Sequence, residues 1–250
     1  MISKKQPKIT IITVVLNSVE HIEKTINSVL AQSYPDIDYI VIDGGSTDGT
    51  VEIIKKYENR ITCWVSENDN GVYDAMNKAW LKAKNDSYIL FLGAGDAIVS
   101  LPDNMEQYQF CEVIYGKVDI GAKVFLSKVD FHLKLYNTLH HQALLVNKSL
   151  HPFPPFDLNY KVYADFDFNQ RLYKQGTEFK FSDSFIGYAS PGGISSRYMI
   201  SETLSIVWKN FGIYWSLLSL LFYLYNSLKI RIKAFGYILF QNCKILNYRL

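Results

Sequence analysis

The chain of 250 residues is 48% hydrophobic with a formal net charge of +2, which predicts a folded protein with one substantial core and excludes a disordered linker. The small net charge, without a cluster of lysine and arginine among aromatic residues outside the C-terminal region, argues against nucleic-acid binding. The three cysteines form no C-x-x-C pair, which argues against a disulfide framework or a zinc site and for a reducing compartment.

Strands and helices alternate through the first part of the chain. Apolar segments rich in β-branched residues predict strands at residues 8–16, 39–42, 61–65 and 88–92. Amphipathic spacing predicts a helix that begins with the capping pattern Asn17-x-x-Glu20, and further helices through residues 51–57 and 72–83. Because the connections are short, we expect an α/β fold with a mostly parallel central sheet layered by helices.

Residues 66–96 combine a candidate site with the elements that support it. Asp69 or Asn70 is suited to cap the helix that follows, whose apolar residues recur at three-and-four spacing. The strand after this helix stops abruptly at two glycines and Asp96. An acid at the carboxyl end of a buried parallel strand lies where open α/β sheets bind their ligands, so we expect a site here.

The pattern is less regular beyond this point. Strands are predicted at residues 113–118, 123–127, 142–146, 178–181 and 185–188. Residues 163–173 predict a helix that opens with acids, and within it Asp167 is placed to pair with Arg171 four residues later.

Two acids directly follow predicted strands. Asp43 opens a glycine-rich turn, where a carboxylate can accept hydrogen bonds from a nucleoside; the alternative is an aspartate that only caps a tight turn. A dinucleotide-binding fold is disfavoured, because no G-x-G-x-x-G follows the first strand. Asp96 is suited to a hard divalent cation completed by phosphate oxygens and water; the alternative is a loop aspartate bound by backbone N–H groups.

The second half supplies candidate catalytic groups. Asp165 lies in the first turn of a helix, which favours the ionised form that a general base needs; the alternative is an N-cap. His140 and His141 are placed to orient a substrate hydroxyl, although loop histidines are commonly not catalytic. Residues 192–195, with Arg197 beyond them, form either a flap that offers donors and a cation to a phosphate or an ordinary surface loop.

Several motifs occur in a characteristic order. They are T-V-V-L-N (13–17), V-I-D-G-G-S-T-D-G-T (41–50), S-E-N-D-N-G-V-Y-D-A-M-N-K (66–78), F-L-G-A-G-D (91–96), H-Q-A (141–143), A-D-F (164–166) and G-G-I-S (192–195). In this order and spacing, the chain resembles the family 2 glycosyltransferases, particularly those of the colanic-acid and capsule type. The resemblance covers residues 8–195, and the motif at residues 66–78 is its most specific part.

The resemblance implies a GT-A fold, a nucleotide-diphosphate sugar donor (a UDP-sugar, or else a GDP-sugar), Mg²⁺ or Mn²⁺, and inversion at the anomeric carbon. It implies transfer to a hydroxyl of a glycan or lipid-linked acceptor in the biosynthesis of a cell-surface polysaccharide such as a capsule or lipopolysaccharide. By position, Asp165 is the acceptor-activating base, Asp96 the metal ligand, and His141 and Gln142 lie on the acceptor side. The implied donor-binding residues are Thr13, Asn17, Asp43, Ser46, Asp69, Asp74, Asn77, Gly95 and Arg197.

The sequence departs from this family at Gly93 and Gly95, where many relatives have aspartates, and metal affinity is the property that this departure affects. A non-catalytic sugar-nucleotide or glycan-binding protein on the same fold is therefore an alternative. A nucleotidyltransferase is a third interpretation, but the chain shows no basic glycine-rich loop of the kind that cradles a triphosphate.

The C-terminal residues differ in character from the rest of the chain. We expect a transferase domain at residues 1–200 and a hydrophobic, basic helical tail at residues 201–250, which holds six basic residues and one acid. Residues 211–228 carry no charge, and we expect an interfacial helix on anionic lipid; the alternatives are a spanning helix or packing against the body or a second subunit of a homo-oligomer. Since residues 1–16 show no signal-peptide pattern, we expect a cytoplasmic body at the inner membrane.

Overall fold

A computed structural model describes residues 6–151, 153–193 and 199–229 of the chain. Its strands are β1 (Lys8–Val15), β2 (Ile37–Asp43), β3 (Cys63–Ser66), β4 (Ser87–Gly93), β5 (Ala97–Ser100), β6 (Val113–Asp119), β7 (Val124–Leu126), β8 (Leu144–Asn147) and β9 (Phe179–Tyr188). Its α-helices are α1 (Ile22–Leu30), α2 (Thr50–Lys56), α3 (Val72–Lys82), α4 (Ala164–Gln175), α5 (Ile200–Phe211) and α6 (residues 213–229). Short 3₁₀ turns lie at Glu58–Arg60, Met105–Tyr108, Phe131–Lys134 and His141–Ala143.

The nine strands form one sheet in the order β3-β2-β1-β4-β8-β6-β9-β5, with β7 paired to β6. Strands β1 to β4 are parallel to one another, as the alternation of strands and helices predicts. In the second half, β6 and β9 are parallel, but β8 runs antiparallel to both β4 and β6, and β5 antiparallel to β9. The predicted α/β class is confirmed, and the sheet is parallel in its first half and mixed in its second.

Helices cover both faces of the sheet. Along β1, Ile12 and Val14 point into a core that α3, α4 and α5 cover, whereas Ile9 and Ile11 point into a second core that α1 and α2 cover. Burial on both faces explains why β1 reads as a continuous apolar run rather than an alternating one.

The parallel strands bring distant loops to one edge of the sheet. Val15 of β1 lies beside Asp43 of β2, and Val14 lies beside Gly93 of β4. Because all three strands run in the same direction, the loops that follow them meet at this carboxyl edge, where open α/β sheets bind ligands. The fold therefore assembles one candidate site from segments far apart in sequence.

Two predicted helix caps are wrong. Helix α1 begins at Ile22 rather than after Asn17, because Asn17 adopts φ 47° and its side-chain oxygen accepts a hydrogen bond from the Thr47 backbone across the loop. At the start of α3, Gly71 occupies the cap position with no side-chain cap. The Asp69 carboxylate instead accepts from the Gly71 N–H, within the turn before the helix.

Some strand boundaries also differ from the prediction. The segments 178–181 and 185–188 form one strand, β9, and β5 directly after Asp96 was not predicted. The predicted strand at 142–146 begins only at Leu144, after the 3₁₀ turn at His141–Ala143. The predicted pairing of Asp167 with Arg171 is present, with Nε 2.9 Å from the carboxylate.

The described part of the C-terminal region packs on the rest of the chain. Gly212, with φ 89°, separates α5 from α6, so residues 211–228 do not form one uninterrupted helix. The Glu202 carboxylate, which is buried, accepts hydrogen bonds from the backbone N–H groups of residues 161–163 at 2.6 to 3.1 Å. Within the described residues, no helix combines the length and the hydropathy needed to cross a bilayer.

Candidate functional site

The turn after β2 is organised by the Asp43 carboxylate. Asp43 is fully buried, and its Oδ2 accepts hydrogen bonds from the backbone N–H groups of Gly45 (3.1 Å) and Ser46 (2.9 Å) and from the Ser66 hydroxyl (2.6 Å). Its Oδ1 accepts from the Ser46 hydroxyl at 2.5 Å. Since both oxygens are engaged by the protein, this geometry favours the tight-turn interpretation of Asp43 over direct contact with a nucleobase.

Thr13 and Asn17 occupy different environments. Thr13 is fully buried, and its hydroxyl lies 3.0 Å from the Tyr39 hydroxyl inside the core, so the expectation that it lines an open nucleoside pocket is wrong. The reason is that Thr13 lies within β1, which helices cover on both faces. Asn17, in contrast, is exposed at the edge of the sheet, where its N–H donates to the Ser46 hydroxyl at 2.7 Å.

Asp69 lies against the glycine-rich turn. A Cβ atom on Gly44 would approach the Asp69 Oδ2 to 2.4 Å, so this position accepts only a residue without a side chain while Asp69 stays in place. The backbone of the turn and the Asp69 carboxylate therefore form one surface, next to Asn17 and Ser46. These residues are the part of the predicted donor side that the structure brings together.

Asp74 and Asn77, on the polar face of α3, have different partners. Asp74 accepts from the Asn70 N–H at 2.9 Å and pairs with Lys78 at 3.3 Å; the Asn70 N–H, with Lys78, lowers the pKa of Asp74. Asn77 instead donates to the Phe156 carbonyl (2.8 Å) and accepts from the Phe156 N–H (3.0 Å). Through its nitrogen and its oxygen, the Asn77 amide fastens the loop before α4, and this is the role that the structure shows for it.

Asp96 is nearly buried and accepts hydrogen bonds from three elements. Its Oδ2 accepts from the Gly93 N–H (2.9 Å) and the Gln142 amide (3.0 Å), and its Oδ1 accepts from the Ser190 N–H (2.9 Å). Burial opposes ionisation, but the nearby His141 ring and these donors outweigh it, so the pKa of Asp96 is below its ordinary value. The carboxylate thus joins β4, the turn before β8 and the end of β9.

Gly95 is tied into this support. Its N–H donates to the Thr25 hydroxyl of α1 at 2.8 Å, and its φ of 99° suits glycine. A Cβ on Gly95 would lie 3.1 Å from the Ser190 side chain. Because its donor is already used, the structure gives Gly95 a role in shaping the loop and no free N–H for a ligand.

His141 connects Asp96 with Asp165. Its Nε2 lies 3.8 Å from the Asp96 carboxylate and its Nδ1 lies 3.8 Å from the Asp165 carboxylate. Burial disfavours the imidazolium, but the two carboxylates outweigh that effect and raise the pKa of His141 to about 9. A protonated imidazole therefore bridges two carboxylates that are far apart in sequence, and its side chain remains 28% exposed.

Two further residues, Tyr73 and Asn137, hold Asp165, and neither was predicted from the sequence. The Tyr73 hydroxyl donates to the Val162 carbonyl at 2.7 Å and lies 3.2 Å from Asp165 Oδ1, while the Asn137 amide donates to Oδ2 at 3.2 Å. Burial and the Asp165 charge raise the pKa of Tyr73 well above its ordinary value, so its hydroxyl keeps its proton. Tyr73 lies inside the motif at residues 66–78, so the sequence offered a signal that could have identified it. Asn137 lies in none of the motifs, so the sequence offered no signal for it.

The remaining predictions for the second half of the chain concern His140, the cap of α4 and Arg197. His140 packs its ring against Phe125, with 4.4 Å between ring centroids, and burial lowers its pKa. It does not contribute to the carboxylate cluster. Tyr163 rather than Asp165 occupies the cap position of α4, so the N-cap alternative for Asp165 is wrong. Arg197 and the end of the 192–195 segment lie outside the described residues.

The groups around Asp96 do not fit a resident divalent ion. Both carboxylate oxygens already accept N–H donors, from Gly93, Gln142 and Ser190. Over residues 6–151, 153–193 and 199–229, no group of three or more histidine, cysteine, aspartate or glutamate side chains is arranged to hold a metal. A hard cation prefers several oxygen ligands, and this donor set supplies only one carboxylate.

The sequence is similar to known glycosyltransferases. The family model of Glycosyl transferase family 2 matches residues 10–99. An uncharacterized glycosyltransferase of Mycobacterium tuberculosis, MT1564, is 31% identical over 180 residues, which are 65% of this chain and 67% of the relative. A PGL/p-HBAD biosynthesis glycosyltransferase of Mycobacterium bovis is 28% identical over 180 residues, which are 67% of this chain and 70% of the relative.

Solved structures share the architecture. TarS of Staphylococcus aureus, residues 1–349 in complex with UDP-GlcNAc, matches 80% of this chain with a TM-score of 0.61 and 20% identity. The mannosyltransferase PcManGT of Pyrobaculum calidifontis, in complex with GDP-Man and Mn²⁺, matches 83% of this chain with a TM-score of 0.58 and 15% identity. The match spans 64% of each of these solved chains. At this identity the likeness concerns the fold, and it confirms the expected GT-A architecture.

Proposed function

The chain belongs to glycosyl transferase family 2, and from this premise we propose that it moves a sugar from a nucleotide-diphosphate donor to an acceptor hydroxyl with inversion at the anomeric carbon. The observation that supports the proposal is the position of His141, 3.8 Å from both Asp96 and Asp165. Asp96, His141 and Asp165, from three distant segments, thus meet beside the loop that follows β4, at the edge where α/β sheets bind ligands.

Asp165 is the proposed general base. It would take the proton of the acceptor hydroxyl while that oxygen attacks the anomeric carbon from the face opposite the leaving diphosphate. A single base on one face is sufficient for inversion, whereas retention by double displacement needs a nucleophilic carboxylate beneath the sugar. The Asp165 side chain is 17% exposed, so it can reach a bound hydroxyl.

His141, Tyr73 and Asn137 are proposed to position the base. Asp165 is contacted by Tyr73 and Asn137 at 3.2 Å and by His141 at 3.8 Å, on both of its oxygens. A carboxylate held from several sides keeps one orientation, which is what proton transfer along a defined path requires. Gln142, whose amide holds Asp96, is then a support for this arrangement on the acceptor side.

The donor is proposed to bind at the turn after β2. Asn17, Ser46 and Asp69 surround the glycine-rich backbone at Gly44, which leaves room for a nucleotide to approach closely. Asp43 would act by holding the turn, and Asp74 by holding the segment before α3. TarS is complexed with UDP-GlcNAc and PcManGT with GDP-Man, which makes UDP- and GDP-sugars the first donors to test.

Mg²⁺ or Mn²⁺ dependence stays a separate expectation. PcManGT is complexed with Mn²⁺, but the described residues around Asp96 do not form a resident site, and we derive no catalytic step from a metal. Arg197 is retained as a proposed contact to the diphosphate, because a guanidinium suits phosphate oxygens.

The proposed acceptor is a glycan or a lipid-linked glycan, in the biosynthesis of a cell-surface polysaccharide or glycolipid. The similarity to a PGL/p-HBAD biosynthesis glycosyltransferase supports this class of pathway. We propose that a transferase domain extends over residues 1–200 and acts on the cytoplasmic side of the membrane.

The full chain incubated with a panel of UDP- and GDP-sugars tests the proposal. Water takes the place of the acceptor hydroxyl in this assay, so we expect one donor to be hydrolysed to the free sugar and UDP or GDP. Asp165→Asn should lower this turnover by at least about a hundredfold, the usual contribution of a general base. Donor binding, measured by thermal shift, should be retained in this variant. The matched control is Asp183→Asn, because Asp183 is an 81% exposed aspartate away from the cluster.

A different result would support the alternative function. Donor binding by the parent chain with no turnover under any condition, and no change in Asp165→Asn, would indicate a non-catalytic sugar-nucleotide or glycan-binding protein. Equal losses in Asp165→Asn and Asp183→Asn would remove Asp165 from the proposed role. The stereochemistry of an isolated product, read by NMR of the anomeric proton, tests inversion directly.

A further inference from the structure

The outward face of α6 is apolar along its whole described length. Its exposed side chains recur three or four residues apart, on one side of the helix. All of them except Ser227 and Lys229 are hydrophobic. The large hydrophobic ones, each 54–66% exposed, are Ile213, Tyr214, Leu217, Leu221, Leu224, Tyr225 and Leu228. We call these seven residues the α6 outer face. Surface hydrophobic residues are usually scattered, so a continuous row of this length indicates an interaction site.

The opposite side of α6 is fastened to the domain. The Ser216 hydroxyl donates to the Leu204 carbonyl at 3.0 Å, and the Ser219 hydroxyl donates to the Leu135 carbonyl at 2.7 Å. The Phe222 ring stacks on Tyr136, with 4.6 Å between centroids and 4° between planes. These contacts fix the rotation of the helix, so the α6 outer face points away from the domain.

The charge of the residues around and after α6 favours anionic lipid over a second copy of the chain as the partner of the α6 outer face. Between residue 203 and the end of the chain the sequence has no acid. Lys209 pairs with Asp157 of the domain at 2.8 Å, and the other basic residues there are Lys229, Arg231, Lys233, Lys244 and Arg249. A second copy of the chain would bring another basic segment with no acids to offset it. Anionic lipid headgroups offset this charge, and leucine and tyrosine side chains suit the boundary between headgroups and acyl chains.

We propose that the α6 outer face docks on an anionic lipid surface, with α6 lying in the plane of that surface. Residues 213–229 extend over about 25 Å, and within the described residues no helix has the length and hydropathy to cross a bilayer. This orientation agrees with a fastened inner side and an apolar outer side. The proposal goes beyond the transfer reaction and does not depend on it.

The docking helix also contacts the segment that leads into the candidate site. Leu135 and Tyr136 touch α6, and Asn137, the next residue along the chain, holds the Asp165 carboxylate. Phe131 adds a 54% exposed ring to this region, joined to Tyr136 through ring contacts with His132. A docked α6 therefore places the acceptor side of the cluster close to the lipid surface.

Flotation of the full chain with vesicles tests the proposal. We expect binding to vesicles of phosphatidylcholine with phosphatidylglycerol, and weaker binding both to phosphatidylcholine alone and at high salt. The triple variant Leu217→Gln, Leu221→Gln, Leu224→Gln should bind the anionic vesicles at least about tenfold more weakly, since three side chains lose their burial in lipid. The matched control replaces three exposed aliphatic residues elsewhere with glutamine: Leu81, Val99 and Leu150.

A second variant, which reverses the charge of Lys229, tests the proposal even if the triple variant fails to fold. Lys229→Glu, at the exposed end of the described helix, should weaken binding to the anionic vesicles by at least about fivefold without changing binding to phosphatidylcholine. Unchanged anionic binding in the triple variant and in Lys229→Glu would overturn the proposal. A parent chain that is dimeric by light scattering, binds no vesicles and becomes monomeric in the triple variant would also overturn it, in favour of a second copy. Donor-induced thermal shift measures the proposed transfer site independently.

Discussion

At the residue scale, the cluster around His141 shows how a side chain acquires its role from its neighbours. His140 and His141 are adjacent in sequence and looked alike as candidates. The pKa of His140 is lowered by burial, whereas two carboxylates raise the pKa of His141 to about 9. One histidine therefore packs as a neutral ring and the other pairs as a cation. The sequence identified the pair, but only the fold distinguishes its members.

Tyr73 provides the sharpest residue-scale prediction. Tyr73→Phe removes the hydroxyl that lies 3.2 Å from Asp165 and 2.7 Å from the Val162 carbonyl, while the ring stays packed against Phe156. We expect turnover to fall by about tenfold, because Asp165 and the Val162 carbonyl lose the hydroxyl that they share, with the KM for the donor unchanged. Steady-state kinetics separates these two quantities.

The control for this prediction is Tyr57→Phe, because the Tyr57 hydroxyl also donates to a carboxylate, that of Glu23 at 2.8 Å, and neither residue belongs to the cluster. It should leave kcat and KM at their parent values. A parallel rise in donor KM in Tyr73→Phe would show that Tyr73 supports donor binding rather than the orientation of Asp165, and would contradict the positioning role.

At the element scale, the sequence predicted the parallel half of the sheet well and the second half less well. Strands β1, β2 and β4 are apolar runs of seven or eight residues, so local pattern and tertiary environment agree. The N-x-x-E pattern at Asn17 failed because the asparagine side chain binds Thr47, 30 residues away, instead of its own helix. Strand β5, with four residues, was missed because it begins directly after the turn that ends at Asp96, and no turn residues separate it from that turn.

The contact between α5 and the start of α4 yields the element-scale prediction. The buried Glu202 carboxylate accepts three backbone N–H groups from residues 161–163, which lead directly into the helix that carries Asp165. Glu202→Gln replaces a carboxylate oxygen by an amide that cannot accept, so at least one N–H loses its partner. We expect the free energy of unfolding to fall by about 1–3 kcal/mol, measured by urea denaturation.

Glu52→Gln is the matched control, since Glu52 is exposed in the first turn of α2 and should change stability by less than about 0.5 kcal/mol. The same stability for Glu202→Gln as for the parent chain would mean that α5 is not fastened to residues 161–163 in solution. That outcome would also support the predicted boundary between residues 200 and 201, which treats the C-terminal region as separate from the transferase domain.

At the scale of the whole molecule, the fold converts separated motifs into one site. Asp43, Asp96 and Asp165 come from segments that are 53 and 69 residues apart in the chain. Their identification relied on the order of motifs, because periodicity does not show which loops meet. The sheet explains the meeting of the first two, since β1 pairs with both β2 and β4. Asp165 joins them through His141, a contact between side chains that no local pattern encodes. The burial of Thr13 and the pairing of Asn77 with the Phe156 backbone likewise follow from packing.

The last prediction concerns what stabilises the folded chain as a whole. A ligand that binds only the folded state raises the melting temperature, by an amount equivalent to about 2.7 kcal/mol at a hundred times its Kd. Because the groups around Asp96 supply one carboxylate whose oxygens already accept N–H donors, Mn²⁺ or Mg²⁺ alone should leave the melting temperature unchanged. UDP or GDP should raise it, since the turn after β2 offers the proposed nucleotide site, and Gly44→Ala, which displaces Asp69, should abolish that rise. A shift with Mn²⁺ alone that disappears in Asp96→Asn would contradict this prediction and establish a resident metal site at Asp96.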